Sequence, residues 1–490
     1  MKPVHIFSFT WSVFALLGII SMIYPENGVR INDQLSLDFP SIHSLFEIDS
    51  AEKKDFSQII DNDFDIDSIE LSKNAKIDSL KMALEADSIR NWQLQLHYPN
   101  GDKSVLYPFF TELEKKNSKK PIRIMHYGDS QIEGDRITGY LRNKLQSKFG
   151  GSGPGLIPAV PLVRSAAFEY EASENWKRYT LYGKVDTLVT HKKYGPLVNF
   201  GRFSPILSDS ILRTPEFIDS IFTGTITYKK SRLSYGTTKV FYNYQLLFGN
   251  NKKQVTVKTL IEDSIIQERT FLPSKGLHVL QGNQNKPIES ISFKFEGGDS
   301  PDVYGVNLEG KGGVIVDNIA LRGSSGTLFR KMDSNLLSKT YNLYDIKLLI
   351  LQFGGNVMPY IDSEKECLQY GRWFESQLQY LKNLIPGVSI IVIGPSDMGT
   401  MENGEYNSYP LLPNVRDALK TATFNKGGVY WDMMEAMGGM NSMEAWVDAT
   451  PALAGKDYVH FNLRGAGKIA QMFYNALIKD YNEFQTKKSE

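Results

Sequence analysis

Two spacings of apolar residues divide the chain. In the first, short apolar runs alternate with helical periodicity. Ile122-Arg-Ile-Met-His-Tyr127 reads as a strand, Gly128-Asp129-Ser130 as a sharp turn, and Ile137, Leu141, Leu145 and Phe149 as one face of a helix over 131–149. Gly150-Gly151 supplies a left-handed cap that ends it. The same alternation returns late in the chain. Gly313–Leu321, Ile346–Phe353, Val388–Ile393 and Gly428–Trp431 are predicted strands, with helices after residue 326, over 363–384 and over 466–480. Ile346–Phe353 is almost continuously apolar, as a strand covered on both faces of a parallel sheet must be.

Between these parts, residues 166–312 follow the second spacing: short β-rich runs separated by turn residues. Phe222–Lys229, Thr238–Phe248, Gln254–Ile261, His278–Leu280 and Ser290–Phe295 are the clearest. That pattern predicts an antiparallel sandwich or jelly roll. The chain is therefore an α/β domain with a parallel sheet of about five strands, interrupted by an inserted β-sandwich. The predicted boundaries are 106–165 and 313–490 for the α/β domain and 166–312 for the guest.

The N-terminus is of another kind. Ile6 to Tyr24 is an apolar run close to the ~20 residues that span a bilayer. It ends Ser21-Met22-Ile23-Tyr24-Pro25 without an Ala-x-Ala site, so an uncleaved signal anchor is preferred to a cleaved signal peptide, with a buried helix as the third reading. Residues 25–105 are expected to be an acidic linker and a lead-in helix over 77–95. Asp61, Asp63, Asp65 and Asp67 alternate like a calcium loop, but Ile66 and Ser72 stand where Gly and Glu are needed.

Charge narrows the partners. The chain has 55 basic and 55 acidic residues, for a net charge of zero. A general nucleic-acid binder would carry a basic excess. Residues 47–90 hold 12 acids against 6 bases, which leaves the body from residue 91 onward mildly basic. Cys367 is the one cysteine, so neither an intrachain disulfide nor a cysteine-based zinc or iron–sulfur site can form. Apolar residues at 41% suffice for large cores.

Candidate chemistry gathers at strand ends. Ser130 on a strand-to-helix turn is a candidate nucleophile, although a Ser there is commonly only a helix cap. Gly323 follows one strand, Asn356 follows another, and Asp457 and His460 sit in a loop before the last helix. Loops at the carboxyl ends of a parallel sheet converge on one crevice, so these residues can meet. Asp397, at another strand end, is a rival acid that reads better as pocket lining or loop structure. The aromatic residues Tyr228, Tyr235, Phe241, Tyr242, Tyr244 and Phe248 of the insertion either stack on sugar rings or, more often at this spacing, form the sandwich core. No Gly-x-Ser-x-Gly elbow, P-loop, His-Glu-x-x-His or dinucleotide fingerprint occurs.

Taken together, Gly128-Asp129-Ser130-Gln131, Gly323, Gly354-Gly355-Asn356 and Asp457-x-x-His460 resemble the first, second, third and fifth blocks of the SGNH, or GDSL-like, hydrolases. Gln131 departs from the usual Leu, a variation expected to leave the chemistry untouched. The resemblance implies a flavodoxin-like three-layer domain. It implies a triad of Ser130, His460 and Asp457, an oxyanion hole of the Ser130 N–H, the Gly323 N–H and the Asn356 side chain, and no cofactor or metal. The insertion resembles the layout of bacterial peptidoglycan O-acetylesterases, where a carbohydrate-binding-like sandwich interrupts the esterase. The expected function is an esterase of the periplasm or cell envelope that removes O-acetyl or other short acyl groups from a polysaccharide. The alternatives are an SGNH-type O-acyltransferase of surface polysaccharide, working with a membrane-bound acyltransferase, and a non-catalytic glycan-binding protein. Expected partners are the acylated polysaccharide and, through the N-terminal segment, the membrane, with no nucleic acid.

Overall fold

The computed structural model describes residues 94–115, 120–208, 210–402 and 404–489, with short stretches at 7, 9–13, 29–32 and 35–37. The predicted linker, its aspartate repeat and the helix over 77–95 lie outside these residues, as does most of the apolar run 6–24. Among the described residues no helix is long and apolar enough to cross a membrane. The chain divides into two units, residues 1–58 and 59–490. In the first, Val29–Asn32 pairs antiparallel with Leu35–Leu37.

The second unit is built on a six-stranded sheet. Its strands are β1 (Leu96–His97), β2 (Ile122–Gly128), β3 (Val314–Ala320), β4 (Ile346–Gln352), β5 (Ser389–Ile393) and β6 (Val429–Trp431), in the order β3-β2-β4-β5-β6-β1. Five are parallel, and β1 closes one edge antiparallel to β6. Successive side chains of a strand point to opposite faces. Ile124, Leu348, Ile350, Ile391 and Ile393 therefore enter one core, with the helices Thr138–Phe149 and Leu463–Ser489. Met125, Leu349, Leu351 and Val392 enter the other, with the helices Ser334–Tyr344, Glu364–Leu384 and Leu412–Asn425. That is the predicted three-layer arrangement.

The guest is two antiparallel sheets around a shared core. One runs 274–283, 243–251, 302–309, 199–202, 177–180, with 155–157 also on 302–309; the other runs 264–271, 255–261, 290–297, 222–230, 168–172. Ile226, Val257 and Phe293 from one sheet meet Leu246 and Val306 from the other. The opposite face of the first sheet is covered too. Leu247 and Tyr304 pack into the α/β core beside Phe329 and Tyr341. Of the six aromatics noted in the sequence, Tyr228, Phe241, Tyr244 and Phe248 are buried in or against this core, and Tyr235 is exposed.

An ionic cluster fastens guest to host. Arg123 of β2 is buried and paired with Asp317 of β3 (N···O 3.0 Å), and also donates to Asn307 of the guest at 2.5 Å. Asp317 accepts the Leu156 N–H at 2.7 Å. Burial pushes the Asp317 carboxyl up, and the Arg123 charge opposes that rise. A Cβ on Gly155 would stand 2.3 Å from the Asp317 carboxylate, so the strand can enter here only as glycine.

Several elements differ from the sequence expectation. Gly155–Ile157 belongs to a guest sheet although it precedes residue 166. Asp302–Glu309 is a full strand that the pattern missed, because it is buried on both faces and lacks alternation. The helix predicted over 131–149 breaks into a 3-10 turn, Ser130–Asp135, and an α-helix from Thr138; Gly134 at φ 65° and Asp135 at φ 70° make the break. A hairpin of 399–402 and 405–408 was also unforeseen.

Candidate active site

The Ser130 turn begins where β2 ends. Asp129 is buried, and one of its carboxylate oxygens accepts the Gln131 N–H at 2.9 Å. This bond folds the chain into a 3-10 turn with Ser130 as its first residue. The N–H at such a start has no partner within its own turn.

The second loop is organised by one carboxylate. Asp457 Oδ1 accepts the N–H groups of Val459 (3.1 Å) and His460 (3.0 Å), while Oδ2 lies 2.7 Å from His460 Nδ1. Gly455 N–H bonds the His460 carbonyl at 2.8 Å. Tyr458 is held at φ 55°, a left-handed conformation that a tyrosine rarely adopts. Tyr406 of the hairpin stacks on Tyr458 with ring centroids 3.6 Å apart, and Gly399 N–H bonds the Tyr458 carbonyl at 2.8 Å. Partial burial works against the Asp457 charge, but the three hydrogen bonds outweigh it and hold the carboxyl below the usual range.

The two loops meet. Ser130 Oγ lies 2.8 Å from His460 Nε2. Serine, imidazole and carboxylate thus form one hydrogen-bonded chain, in which Asp457 selects the tautomer that leaves Nε2 free to take the serine proton.

Two further residues clamp this junction: Gln131, which the sequence reading noted only as a departure from Leu, and Arg136, which it passed over. Gln131 donates to the Val459 carbonyl at 2.6 Å and accepts the Phe461 N–H at 3.3 Å, bracketing His460 on either side. It also donates to Ser396 Oγ at 3.3 Å. Gln131 thus ties the Ser130 turn to the histidine loop, a structural role that the expectation of untouched chemistry did not include. Arg136 donates to the carbonyls of Ser130, Glu133 (3.0 Å) and Phe461 (2.8 Å), adding a second tie. The departure of Gln131 from the usual Leu was a usable signal for the first; none pointed to Arg136.

Ser130, His460, Gly323 and Asn356 all line one cavity of about 710 Å³, with Asp457 behind the imidazole. Gly323 adopts φ 76°, and its N–H takes no hydrogen bond among the described residues. Asn356 follows Gly354 and Gly355 after β4. Its amide donates to Asp129 Oδ2 at 3.1 Å and to the Ser324 carbonyl at 3.3 Å. Burial drives the Asp129 carboxyl up to about 6, against the pull of the Gln131 N–H, the His460 and Arg136 charges and the Asn356 amide.

The other candidates lie elsewhere. Asp397 is buried and holds the hairpin: it accepts from the Ser408 hydroxyl and, at 2.7 Å, from the Met443 N–H. It does not touch His460. His126 is buried between Gln352 (3.2 Å) and Thr138 (3.0 Å), and burial lowers it to about 3, which keeps it neutral.

No family model matches the sequence, and no curated relative matches it. Solved structures do. A peptidoglycan O-acetylesterase is 18% identical, with 77% of this chain covering 96% of that one at a TM-score of 0.57. A GDSL-like lipase from Bacteroides ovatus (11% identical, 64% of this chain and 98% of the other, TM-score 0.25) and an acetyl xylan esterase (14% identical, 34% and 81%, TM-score 0.26) match far more loosely and add no weight. The first structure spans 77% of this chain, and at 18% identity the likeness is one of fold: this chain shares its fold with that solved esterase structure.

Proposed function

We propose that the protein is an extracytoplasmic serine esterase that removes O-acetyl, or another short acyl group, from a polysaccharide. The observation that carries this reading is the unbroken chain Ser130 Oγ–His460–Asp457, with links of 2.8 and 2.7 Å, at a cavity large enough for a sugar ester. His460 Nε2 takes the Ser130 proton as Oγ attacks the ester carbonyl. The oxyanion that forms is met by the Ser130 and Gly323 N–H groups and by the Asn356 amide, which gives up its longer bond to the Ser324 carbonyl to reach it. Collapse breaks the bond to the sugar oxygen, which leaves as a hydroxyl with the proton from His460. Water, deprotonated by the same imidazole, then hydrolyses the acyl-serine and releases the acid.

The carbohydrate part of the reading draws on the neighbour at TM-score 0.57, which is a peptidoglycan O-acetylesterase. It also draws on the guest, which we read as a jelly-roll module of the carbohydrate-binding kind, and on Tyr360, 81% exposed on the cavity wall and suited to stack on a sugar face. The envelope address follows from the apolar run 6–24.

The test is acetate release from acetylated peptidoglycan and acetylxylan by the full chain beside Ser130→Ala. Release that vanishes in the variant supports the esterase, and the better substrate names its class. Folded protein that releases nothing from either refutes hydrolysis. Acyl transfer that depends on an added sugar acceptor would then be sought.

A further inference from the structure

Arginines crowd the nucleophile turn on its guest side. Arg322 lines the catalytic cavity and is engaged by Glu133 through two bonds of 2.7 and 2.6 Å. Arg142 is engaged likewise by Asp135, at 2.6 and 3.0 Å. These two pairs use up Glu133 and Asp135, the acidic side chains that border the seam.

Arg178 is left over. It sits on the guest strand Lys177–Thr180 and lines a crevice of about 70 Å³ in the seam between guest and host. Glu133 borders both this crevice and the catalytic cavity, so the two adjoin. One guanidinium nitrogen of Arg178 donates to the Tyr182 hydroxyl at 2.7 Å. Its Nε is buried with no hydrogen-bond partner, and no carboxylate pairs with it among the described residues. Arg164 adds a second unbalanced charge. It is exposed between Val163 and Ser165, which line the crevice, its backbone runs against Gly134, and no ion pair engages it among the described residues.

A buried guanidinium N–H without a partner is costly, and the planar fork of arginine matches a carboxylate. The apolar walls of the crevice, among them Pro158, Pro161 and Ala167, strengthen such a contact by excluding water. We infer that the seam is a subsite for a carboxylate carried by the polysaccharide near the acylated hydroxyl, received by Arg178 with Arg164 at the lip. The substrate is therefore an anionic glycan. This inference rests on the esterase reading and names the substrate class within it.

The carboxylate could belong to a sugar ring or to a lactyl or peptide substituent, and three substrates separate these sources: O-acetylated polygalacturonate, O-acetylated peptidoglycan chains and neutral O-acetylxylan. The expected result is a kcat/KM for one carboxylated substrate roughly tenfold above the neutral one at low salt, on the basis of two partly exposed charge contacts. That ratio shrinks as salt rises and falls toward parity in Arg164→Gln/Arg178→Gln. Equal rates on all three substrates, or a ratio unmoved in the folded double variant, overturn the inference. Arg164→Gln alone, at an exposed position, gives a smaller drop in the ratio and covers misfolding of the double variant. If no ester is cleaved at all, the esterase reading fails by itself. Binding of oligogalacturonate to Ser130→Ala, weakened severalfold by Arg178→Gln, then upholds the subsite, and unchanged binding removes it.

Discussion

Replacing Gln131 with Leu installs the residue usual in the hydrolases whose first block the sequence resembles, yet the structure predicts a loss. The side chain is buried and makes three hydrogen bonds: to the Val459 carbonyl (2.6 Å), from the Phe461 N–H (3.3 Å) and to Ser396 Oγ (3.3 Å). Two of these hold the residues on either side of His460. At about 1 kcal/mol net per bond, with extra cost for the Phe461 N–H left without its acceptor, the variant loses about 3–4 kcal/mol of local interactions. A buried leucine returns about 1.5–2 kcal/mol, leaving a deficit of about 2 kcal/mol concentrated on the histidine loop. Loosening that loop lengthens the 2.8 Å contact between Ser130 and His460, and each 1.4 kcal/mol lost from the reactive geometry is tenfold in rate. We expect kcat on a small acetyl ester to fall about 10- to 30-fold, KM to change less than threefold, and Tm to drop by a few degrees. Gln131→Glu, which keeps an acceptor for the Phe461 N–H, should lie between the two. The assay is steady-state acetate release, with circular dichroism to establish folding. A folded Gln131→Leu with unchanged kcat would refute the idea that this side chain positions the base.

Asn356→Ala should fold and lose about 10²–10³ in kcat, the usual worth of one oxyanion donor; unchanged turnover removes Asn356 from that role. Asp457→Asn keeps an oxygen for the Val459 and His460 N–H groups but turns an amide toward Nδ1, which selects the wrong tautomer; kcat should fall roughly 10²–10⁴, read by initial rates at neutral pH. Asp129 is raised by burial to about 6 from an ordinary value of 3.8, so the folded state holds its proton more tightly than the unfolded state does. Its contribution is therefore fully present below about pH 4 and is lost as pH rises through 6. Asp432, also raised by burial to about 6, acts in the same sense. Denaturant unfolding between pH 4 and 6 should lose up to about 1.4 kcal/mol per pH unit for each group, and Asp129→Ala should make that slope shallower; an unchanged slope counts against a raised Asp129.

The α/β domain was legible because its strands are extreme. Ile346–Gln352 and Ser389–Ile393 are apolar at nearly every position, a pattern that only burial on both faces requires. The guest was legible as β but not in its boundaries. Its first strand is three residues long, and Asp302–Glu309 is covered on both faces, so neither carries the alternation that marks a half-buried strand. Site residues were legible where their type is chemically restricted and their spacing local, as in Asp457-x-x-His460. The roles of Gln131 and Arg136 were not, beyond the signal of Gln131 departing from Leu, because both act on backbone groups more than 300 residues away, and backbone carbonyls have no sequence signature.

Sequence alone determined that a parallel sheet would be interrupted by an antiparallel guest, since the period of apolar residues switches from helical to strand-like and back. It also determined which residue types stood ready at the strand ends. Tertiary structure decided that Ser130 and His460, 330 residues apart, meet at 2.8 Å, that Asp397 holds a hairpin instead of the imidazole, and that Arg178 comes from the guest to a seam beside the Ser130 turn. The physical reason is range. Periodicity reports which face of an element is buried, but distances across the sheet depend on how both cores pack, and that is settled only when all the layers close together.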